Sequence, residues 1–257
     1  MNDYSEKEIR SLLDSKLKEI PIYIYDTIPS TNTKAKEMIL NEDCRSALLI
    51  ADTQTAGRGR TGHSFFSPQS SGIYMSLIYK PDSFENASRA TTKAAVAVSK
   101  AIEELYNIIP QVKWVNDIYL DGKKICGILT EAVIKPGTSD GALVIGIGIN
   151  HSASDLPEDI KNIAGFLPKN ENISRTKLVA AVLNNLLPEI ENLSDTTYLD
   201  YFRSHSLLTG KRIFYHENDE RRGGIVTGID EEAGLMVQTD DNQTIVIRNG
   251  EIEWRIE

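Results

Sequence analysis

Glycine and arginine alternate in one short stretch of the chain, Gly57-Arg58-Gly59-Arg60-Thr61-Gly62. Glycines at this spacing let the backbone adopt positive φ angles and approach a ligand closely. The two arginines carry planar, permanently charged guanidinium groups that suit carboxylates and phosphates. The stretch predicts an anion-binding loop in preference to a solvated basic turn or an RGG-like contact with single-stranded nucleic acid.

A second cluster, Lys113-Trp114-Val115-Asn116-Asp117, joins a cation, an amide and a carboxylate ahead of a hairpin. Because side chains alternate along strands, Lys113, Asp117 and Lys124 are expected on one face, with Asp117 and Lys124 about 7 to 8 Å apart on a diagonal. Taken alone, this pattern is typical of a surface ion pair that contributes little. It indicates a site if the glycine-arginine loop meets the same face.

The turn signal Asp121-Gly122 sets the register expected for that hairpin. A two-residue turn there, followed by a regular ladder, places Asp117 opposite Cys126 and Asn116 opposite Gly127. Gly127 would then either admit a close backbone approach or serve packing.

The third motif, Gly146-Ile147-Gly148-Ile149-Asn150, indicates a buried strand that delivers the Asn150 amide to a strand end. Its glycines lack the GxGxxG spacing of a dinucleotide fingerprint, and the sequence has neither a P-loop nor a nucleophile elbow. The four histidines show no metal-ligand spacing, and the two cysteines are interpreted as packing residues.

Composition and charge narrow the class of protein. The 257 residues carry 28 Lys+Arg and 37 Asp+Glu, a net charge of −9 at pH 7. Such an acidic chain is a poor candidate for gripping duplex DNA. The longest apolar stretch, 141–149, is too short to span a bilayer, and the opening MNDYSEKEIR lacks the features of a signal peptide. We therefore expect a cytoplasmic protein that binds neither DNA nor membranes.

The elements that must position these motifs are helices and strands in alternation. Periodicity predicts helices over 3–20, 34–40, 85–107 and 176–187, the last ended or kinked by Pro188. Strand patterns fall at 22–25, 46–53, 72–80, 112–114, 117–120, 123–134 and 142–150, then at 211–216, 222–229, 234–239, 243–248 and 252–256, with a turn at Asn218-Asp219. The order predicts an α+β domain over 1–207 and a small β-barrel over 208–257.

Five motifs stand in a fixed order: Ser30-Thr31-Asn32, 54–62, 113–117, 124–129 and 146–150. In this order they resemble the biotin protein ligase family, enzymes that activate biotin with ATP and attach it to a lysine of a biotin carboxyl carrier protein, such as that of acetyl-CoA carboxylase. The resemblance implies a mixed β-sheet flanked by helices, of the class II synthetase-like type, with a C-terminal SH3-like barrel. It also implies ATP and biotin as substrates, Mg²⁺ as cofactor and the carrier domain as partner, and it leaves a homodimer open.

The resemblance also implies roles for individual residues. Biotin would be bound by Ser30, Thr31, Asn32, Gln54, Gly57, Arg58, Gly59, Arg60, Lys124 and Gly127. ATP and the adenylate would be bound by Arg58, Arg60, Lys113, Asn116 and Asn150, with Mg²⁺ on Asp117 directly or through water. Catalysis would rest on Arg60, Lys113, Asp117 and Lys124. Two anionic substrates require fixed positive charge, and the carrier lysine must lose its proton, with Asp117 or water assisting.

Two positions depart from the family pattern. Val115 replaces the usual proline of KWPND, and His63 replaces an arginine common after GRGRxG. About twenty residues precede the first strand, fewer than a three-helix DNA-binding head needs, so a monofunctional ligase is expected. The nearest rival, a lipoate or octanoate ligase, typically lacks the GRGRxG loop. A binding module without catalysis would not need Lys113, Asp117 and Lys124.

Overall fold

The computed structural model describes residues 4–217 and 220–254. The α-helices are α1 (Glu6–Leu12), α2 (Thr31–Glu42), α3 (Ala90–Tyr106), α4 (Arg175–Glu191) and α5 (Tyr198–Ser204), with single 3-10 turns at Ser15–Leu17, Arg60–Gly62 and Ala87–Arg89. The strands are β1 (Ile22–Ile28), β2 (Ser46–Gln54), β3 (Gly72–Tyr79), β4 (Gln111–Lys113), β5 (Asp117–Leu120), β6 (Lys123–Ile134), β7 (Gly141–Asn150), β8 (Arg212–Glu217), β9 (Glu220–Ile229), β10 (Leu235–Thr239), β11 (Thr244–Ile247) and β12 (Glu253–Trp254).

The first seven strands form one sheet in the order β1-β2-β3-β7-β6-β5-β4. Strands β1 and β2 are parallel and the remaining pairs are antiparallel, so the sheet is mixed. Helices lie on both of its faces, which confirms the predicted α+β architecture. The large core cluster joins one face to α3 and α4, whereas α2 packs on the opposite face with Ala35, Met38 and Ile39.

Side-chain alternation explains why these strands are apolar throughout. In β2, Leu48 and Ile50 point to the large core while Ala47 and Leu49 point to α2. A strand covered on both faces loses the polar alternation of a half-exposed strand. The α2 face matters most for function, because the cavity described below lies on it, beyond the N-terminal end of α2.

The predicted helix over 3–20 is shorter and broken. Residue 3 lies outside the described residues, α1 ends at Leu12, and a 3-10 turn follows at Ser15–Leu17. The chain reverses here, and the Arg10 guanidinium donates to the carbonyl oxygen of Ile20 at 3.0 Å. Leu13 and Leu17 stay buried across the break, so the apolar spacing reflects core packing and not one continuous helix.

Helix α4 runs through Pro188 to Glu191, so of the predicted end or kink at this proline the end does not occur. Ile190 beyond the proline is fully buried, and the packing of this last turn outweighs the missing backbone hydrogen bond. Helix α5 was not predicted. The two cysteines are free thiols, Cys44 half-buried and Cys126 buried, as the packing interpretation expects.

The last five strands form an antiparallel sheet in the order β11-β10-β9-β8-β12. Their number and placement agree with the predicted strands. In the described part of the chain the edge strands β11 and β12 do not pair with each other, so this is an open sheet and the predicted closed barrel is not found. The turn predicted at Asn218-Asp219 and the end of the strand predicted over 252–256 lie outside the described residues.

The small sheet is joined to the large one by specific contacts. The indole N–H of Trp114 donates to the carbonyl oxygen of Ala233 at 2.8 Å, and Tyr119 meets Trp254 edge to face at 5.9 Å. These contacts hold the segment before β12 beside β4 and β5. Over the described ranges, the chain has no helix of the length and apolarity needed to cross a membrane.

Candidate active site

A cavity of about 280 Å³ opens on the α2 face of the large sheet. Its lining includes most of the residues predicted for binding and catalysis: Ser30, Thr31, Asn32, Gln54, Arg58, Gly59, Arg60, Lys113, Asn116, Asp117, Lys124 and Gly127. The glycine-arginine loop and the Lys113–Asp117 cluster therefore meet at one place, which was the condition for reading the cluster as a site. Gly57 and Asn150 are not among the lining residues.

The polar end of the cavity is built where α2 begins beside the end of β2. Ser30 caps the helix by accepting from the Thr33 N–H, and Thr31 is its first residue. The parallel pairing of β1 with β2 brings Gln54 alongside. The Thr31 N–H donates to Gln54 Oε1 at 2.9 Å, and Gln54 Nε2 donates to Ser67 Oγ at 3.0 Å. These groups can recognise a small polar ring with both donors and acceptors.

Asn32 is held by residues that the sequence did not single out. Its Nδ2 donates to the carbonyl oxygen of Leu129 at 3.2 Å and to Glu131 Oε2 at 3.0 Å. Glu131 also forms an ion pair with Lys36 and lies 3.8 Å from the Arg58 guanidinium. One carboxylate on β6 thus positions both the Asn32 amide and the first arginine of the loop.

The floor of the cavity is made of bare backbone. On β7 the side chains that face α2 are Ala142 and Val144, and the same row continues beneath the cavity as Gly146 and Gly148. A Cβ on Gly148 would lie 2.5 Å from the Phe65 ring, and one on Gly146 would lie 2.1 Å from Asn32 Oδ1. The glycines therefore make room for these side chains.

Phe65 closes this floor from above. Gly127 of β6 pairs directly with Gly148 of β7, and the Phe65 ring lies over both. No sequence motif marks this ring, because its position depends on the return of the loop after Gly62. An apolar wall over a bare backbone floor suits a flat apolar ring.

The hairpin register differs from the prediction by one residue. The ladder shifts between Ile118 and Tyr119, so Asp117 pairs with Gly127 and not with Cys126. Lys124 Nζ lies 2.7 Å from Asp117 Oδ1, so these two charged groups are in contact. The contact is an ion pair that is not aligned as a hydrogen bond, and Asp117 Oδ1 is buried.

Lys113 lies next to this pair. It pairs with Asp117 across β4 and β5, and among the described residues it has no hydrogen bond or ion pair of its own. Burial lowers the pKa of Lys113 below its ordinary value, opposed in part by the Asp117 carboxylate, while Lys124 and Arg60 lower it further. The ammonium is therefore available to an anionic ligand, whose charge would stabilise it.

Arg60 links the loop to the small sheet. Its guanidinium donates to Asn116 Oδ1 at 3.1 Å and to the carbonyl oxygen of Gly250 at 3.4 Å. Glu251 accepts from Thr61 and lies 3.2 Å from His63 Nε2. The hydrogen bond from Thr61 is the main reason that the pKa of Glu251 lies below its ordinary range.

The segment that carries these contacts was missed by the sequence reasoning. Gly250, Glu251 and Ile252 line the cavity, although they precede the last strand of the small sheet. No local motif marks them, and only the packing of the two sheets brings them to the loop. The small sheet is therefore part of the wall of the site.

Two predicted ligands have other contacts. Asn150 Nδ2 donates to the carbonyl oxygens of Lys124 and Gly165 at 3.3 and 2.9 Å, so its amide ties the end of β7 to the backbone that carries Lys124. A Cβ on Gly57 would lie 2.4 Å from the Phe65 carbonyl oxygen. Gly57 thus allows the loop to close on itself, where the sequence suggested that it approaches the ligand.

The cavity therefore has an uncharged polar end, an apolar middle and a charged end. The charged end holds cations from three places in the chain, Arg60, Lys113 and Lys124, whereas Arg58 lies beside Glu131 near the polar end. Among the described residues, no group of three or more His, Cys, Asp and Glu side chains gathers as a metal cluster. The arrangement can hold a ligand with a polar ring, an apolar stem and an anionic end next to a second anion.

Comparisons with known proteins define the class. Residues 24–150 match the model of the biotin/lipoate A/B protein ligase family. The bifunctional ligase/repressor BirA of Bacillus subtilis is 33% identical over 252 residues, which cover 92% of this chain and 75% of that protein. The biotin--[acetyl-CoA-carboxylase] ligase of Mycobacterium tuberculosis is 27% identical over 221 residues, 82% of this chain and 79% of that protein.

Solved structures agree. The biotin protein ligase from Aquifex aeolicus in complex with biotin and ATP superposes with a TM-score of 0.78 at 27% identity, covering 92% of this chain and 99% of that one. The chain therefore belongs to the biotin/lipoate A/B protein ligase family, and within it groups with the ligases named for biotin.

Proposed function

We propose that this protein activates biotin with ATP to form biotinyl-5′-AMP and transfers the biotinyl group to a lysine of a biotin carboxyl carrier protein domain. The observation that carries the proposal is the layout of one cavity, in which polar groups, a glycine floor and a cluster of cations follow one another. Biotin has a matching layout, with a ureido ring, an apolar bicycle and stem, and a terminal carboxylate.

Binding of biotin would use the three parts in turn. Ser30, Thr31 and Gln54 would meet the ureido ring, whose N–H and C=O groups need both acceptors and donors. The thiophane ring would lie beside the Phe65 ring, over the part of the glycine floor that Phe65 and Asn32 leave open. The carboxylate would then reach Lys124, as the resemblance to known biotin ligases implied.

In the first half-reaction a carboxylate oxygen of biotin attacks the α-phosphorus of ATP, and pyrophosphate leaves. Both reactants are anions, so the barrier contains their repulsion as well as the charge that builds on the phosphate oxygens. Arg58, Arg60, Lys113 and Lys124 would offset this charge from fixed positions. Asn116, whose Oδ1 accepts from Arg60 and whose Nδ2 donates to the carbonyl oxygen of Ile128, would donate its second Nδ2 proton to a phosphate oxygen.

Asp117 fits a Mg²⁺ ligand. Mg²⁺ is usually held by one or two carboxylates together with substrate phosphates and water, so a site without a three-carboxylate cluster suits it. Asp117 lines the cavity in which the phosphates would lie, and its buried Oδ1 lacks an aligned hydrogen bond. When bound there, the ion would neutralise charge on the departing pyrophosphate.

In the second half-reaction the ε-amine of the carrier lysine attacks the carbonyl carbon of the mixed anhydride, and AMP leaves. The amine must be neutral to attack, although its unperturbed pKa is about 10.4. Asp117 lies against Lys124 within the cation cluster, so we propose that Asp117 or a water beside it takes the proton.

We further propose that residues 1–207 form the catalytic domain and residues 208–257 a small accessory domain of the SH3-like type. Gly250 to Ile252 support a direct contribution of the second part, because they line the cavity. The proposed site of action is the cytoplasm, with ATP and the carrier as partners; the net charge of −9 supports no role on DNA.

The experiment that tests the proposal is carrier modification. The purified protein is incubated with ATP, Mg²⁺ and a biotin carboxyl carrier domain, and the carrier is examined by mass spectrometry. Parallel reactions replace biotin with octanoate or lipoate and the carrier with a lipoyl domain. A biotinyl increment on the carrier lysine is expected. An increment only with octanoate or lipoate would contradict the proposal.

A further inference from the structure

A chain of hydrogen bonds runs behind the polar end of the cavity through Glu131, Asn32, Ser76 and Thr31. Ser76 lies on β3, on the face that carries α2, and its side chain is fully buried. It is not among the cavity-lining residues, so it cannot contact a ligand there. Its hydroxyl oxygen lies 2.7 Å from Thr31 Oγ1 and 2.6 Å from Asn32 Oδ1.

The orientation of the Asn32 amide is determined by its other partners. Its nitrogen faces the carbonyl oxygen of Leu129 and the Glu131 carboxylate, both of which only accept hydrogen bonds. Glu131 also forms an ion pair with Lys36. The Asn32 oxygen must therefore point to Ser76 and can only accept there.

The number of protons on these side chains then determines which group donates in each hydrogen bond. A serine hydroxyl has one proton, and the Asn32 oxygen requires it. Ser76 Oγ can meet Thr31 only as an acceptor, so the Thr31 hydroxyl proton points to Ser76. Gln54 Oε1 lies farther from the Thr31 hydroxyl, at 3.2 Å, and already accepts from the Thr31 backbone N–H at 2.9 Å.

We infer that Ser76 is a positioning residue that acts through Thr31: it holds the Thr31 hydroxyl proton away from the cavity, so that Thr31 Oγ1 presents only lone pairs to the ligand. A ligand that offers an N–H at this point is accepted. A ligand that offers a lone pair meets an acceptor without a proton between them, which leaves both groups unsatisfied. In terms of the proposed function, on which this inference rests, Ser76 sets the preference for a ureido N–H.

Glu131 lies at the other end of this series of hydrogen bonds and accepts from the Asn32 nitrogen. Together with the Leu129 carbonyl oxygen, its carboxylate holds the Asn32 nitrogen on this side and so keeps the Asn32 oxygen on Ser76. The selectivity of the polar end is thus determined by Ser76 and Glu131, two residues that do not line the cavity.

A double-mutant cycle on biotin binding tests this inference. The dissociation constant for biotin is measured by isothermal titration calorimetry for the wild-type protein, Ser76→Ala, Thr31→Val and the double variant. Ser76→Ala removes the oxygen that accepts the Thr31 hydroxyl proton. It should raise the dissociation constant for biotin about tenfold in the wild-type background and no more than about twofold in the Thr31→Val background. The KM for ATP should not change with Ser76→Ala. Ser99→Ala, an equally buried serine on α3 away from the cavity, is the control and should bind biotin normally.

The outcomes separate the inference from the proposed function. Equal effects of Ser76→Ala in both backgrounds, or no effect in either, would overturn the inference while wild-type binding of biotin upheld the function. Failure of the wild-type protein to bind biotin would instead remove the proposed function on which the inference rests. If Ser76→Ala does not fold, as judged by circular dichroism, Ser76→Cys takes its place in the same cycle. A thiol is a weaker donor and acceptor, so a smaller coupling of the same sign is expected, and additivity would again overturn the inference.

Discussion

The glycine floor of the cavity leads to a quantitative prediction for Gly148→Ala. In the present structure a Cβ on Gly148 would lie 2.5 Å from Cε1 and 2.6 Å from Cζ of the Phe65 ring. Carbon atoms in favourable contact lie about 3.5 to 4.0 Å apart, so the ring has to move by about 1 Å. Phe65 cannot move deeper, because Gly148 and Gly127 lie directly beneath it, so it must move into the space proposed for biotin.

The size of the effect follows from the cost of overpacking. Inserting a methyl group into a packed site typically costs about 1 to 3 kcal/mol. If this cost falls on the ligand-bound state, biotin affinity should drop about 5- to 150-fold, since 1.4 kcal/mol corresponds to a factor of ten. The affinity for ATP measured without biotin should change much less.

Gly127→Ala is the matched comparison. It makes the same chemical change on the neighbouring strand, directly opposite Gly148, but its Cβ would lie 3.2 Å from both Phe65 and the flexible Lys124 side chain. Isothermal titration calorimetry should give a clearly smaller loss of biotin affinity for Gly127→Ala than for Gly148→Ala. Wild-type affinity in Gly148→Ala, or the opposite order of the two variants, would refute the placement of biotin on this floor.

Three further predictions concern charge. Lys124→Met removes the cation closest to Asp117 and should slow biotinyl-adenylate formation about 100- to 1,000-fold in a quenched-flow assay; a loss under tenfold would exclude Lys124 from the reaction. Burial lowers the pKa of Lys113 below 10.5, so kcat/KM for ATP should fall as pH rises through that lowered pKa and the ammonium loses its proton. Lys113→Arg should remove this alkaline fall, because an arginine keeps its charge. An identical fall in both proteins would contradict a role of the Lys113 charge in ATP binding. Arg175 and Asp52 form a buried ion pair outside the cavity, with Arg175 Nη1 2.7 Å from Asp52 Oδ1. Arg175→Ala should reduce the free energy of unfolding by about 3 to 5 kcal/mol and lower Tm by about 6 to 20 °C in a thermal melt. A shift in Tm under 2 °C would show that the pair is dispensable for stability.

The chemical groups of the site could be predicted from sequence because they belong to short motifs. The cations of the glycine-arginine loop, the Lys113–Asp117 cluster and Lys124 carry charge at fixed spacing, and the Asp121-Gly122 turn places the hairpin. The exact register could not be predicted. The ladder shifts between Ile118 and Tyr119, and nothing in the residues of the turn marks this shift.

The residues that the sequence did not reveal act through tertiary contacts. Phe65, Glu131, Ser76 and Glu251 come from four separate elements, and no spacing relates them to the motifs that they support. Ser76 had one available signal, a single polar residue within the apolar strand β3. A polar side chain that is fully buried must have partners, so such a residue is worth examining in any strand next to a predicted site.

The fold shows the same division. The strands and helices α2, α3 and α4 were located to within a few residues, because burial on one or both faces determines their patterns. The break after α1 and the passage of α4 through Pro188 depend on contacts with distant parts of the chain, which override local preference.

The proposed function requires that this cavity activates biotin as an acyl-adenylate. Exchange of labelled pyrophosphate into ATP tests this activation most directly. The first half-reaction is reversible, so exchange needs no carrier protein and reports the cavity alone. Pyrophosphate exchange by the wild-type protein should require both biotin and Mg²⁺, and it should be lost in Arg60→Ala and Lys124→Ala. Exchange that proceeds without biotin, that responds only to octanoate or lipoate, or that continues at the wild-type rate in both variants would contradict the proposed function.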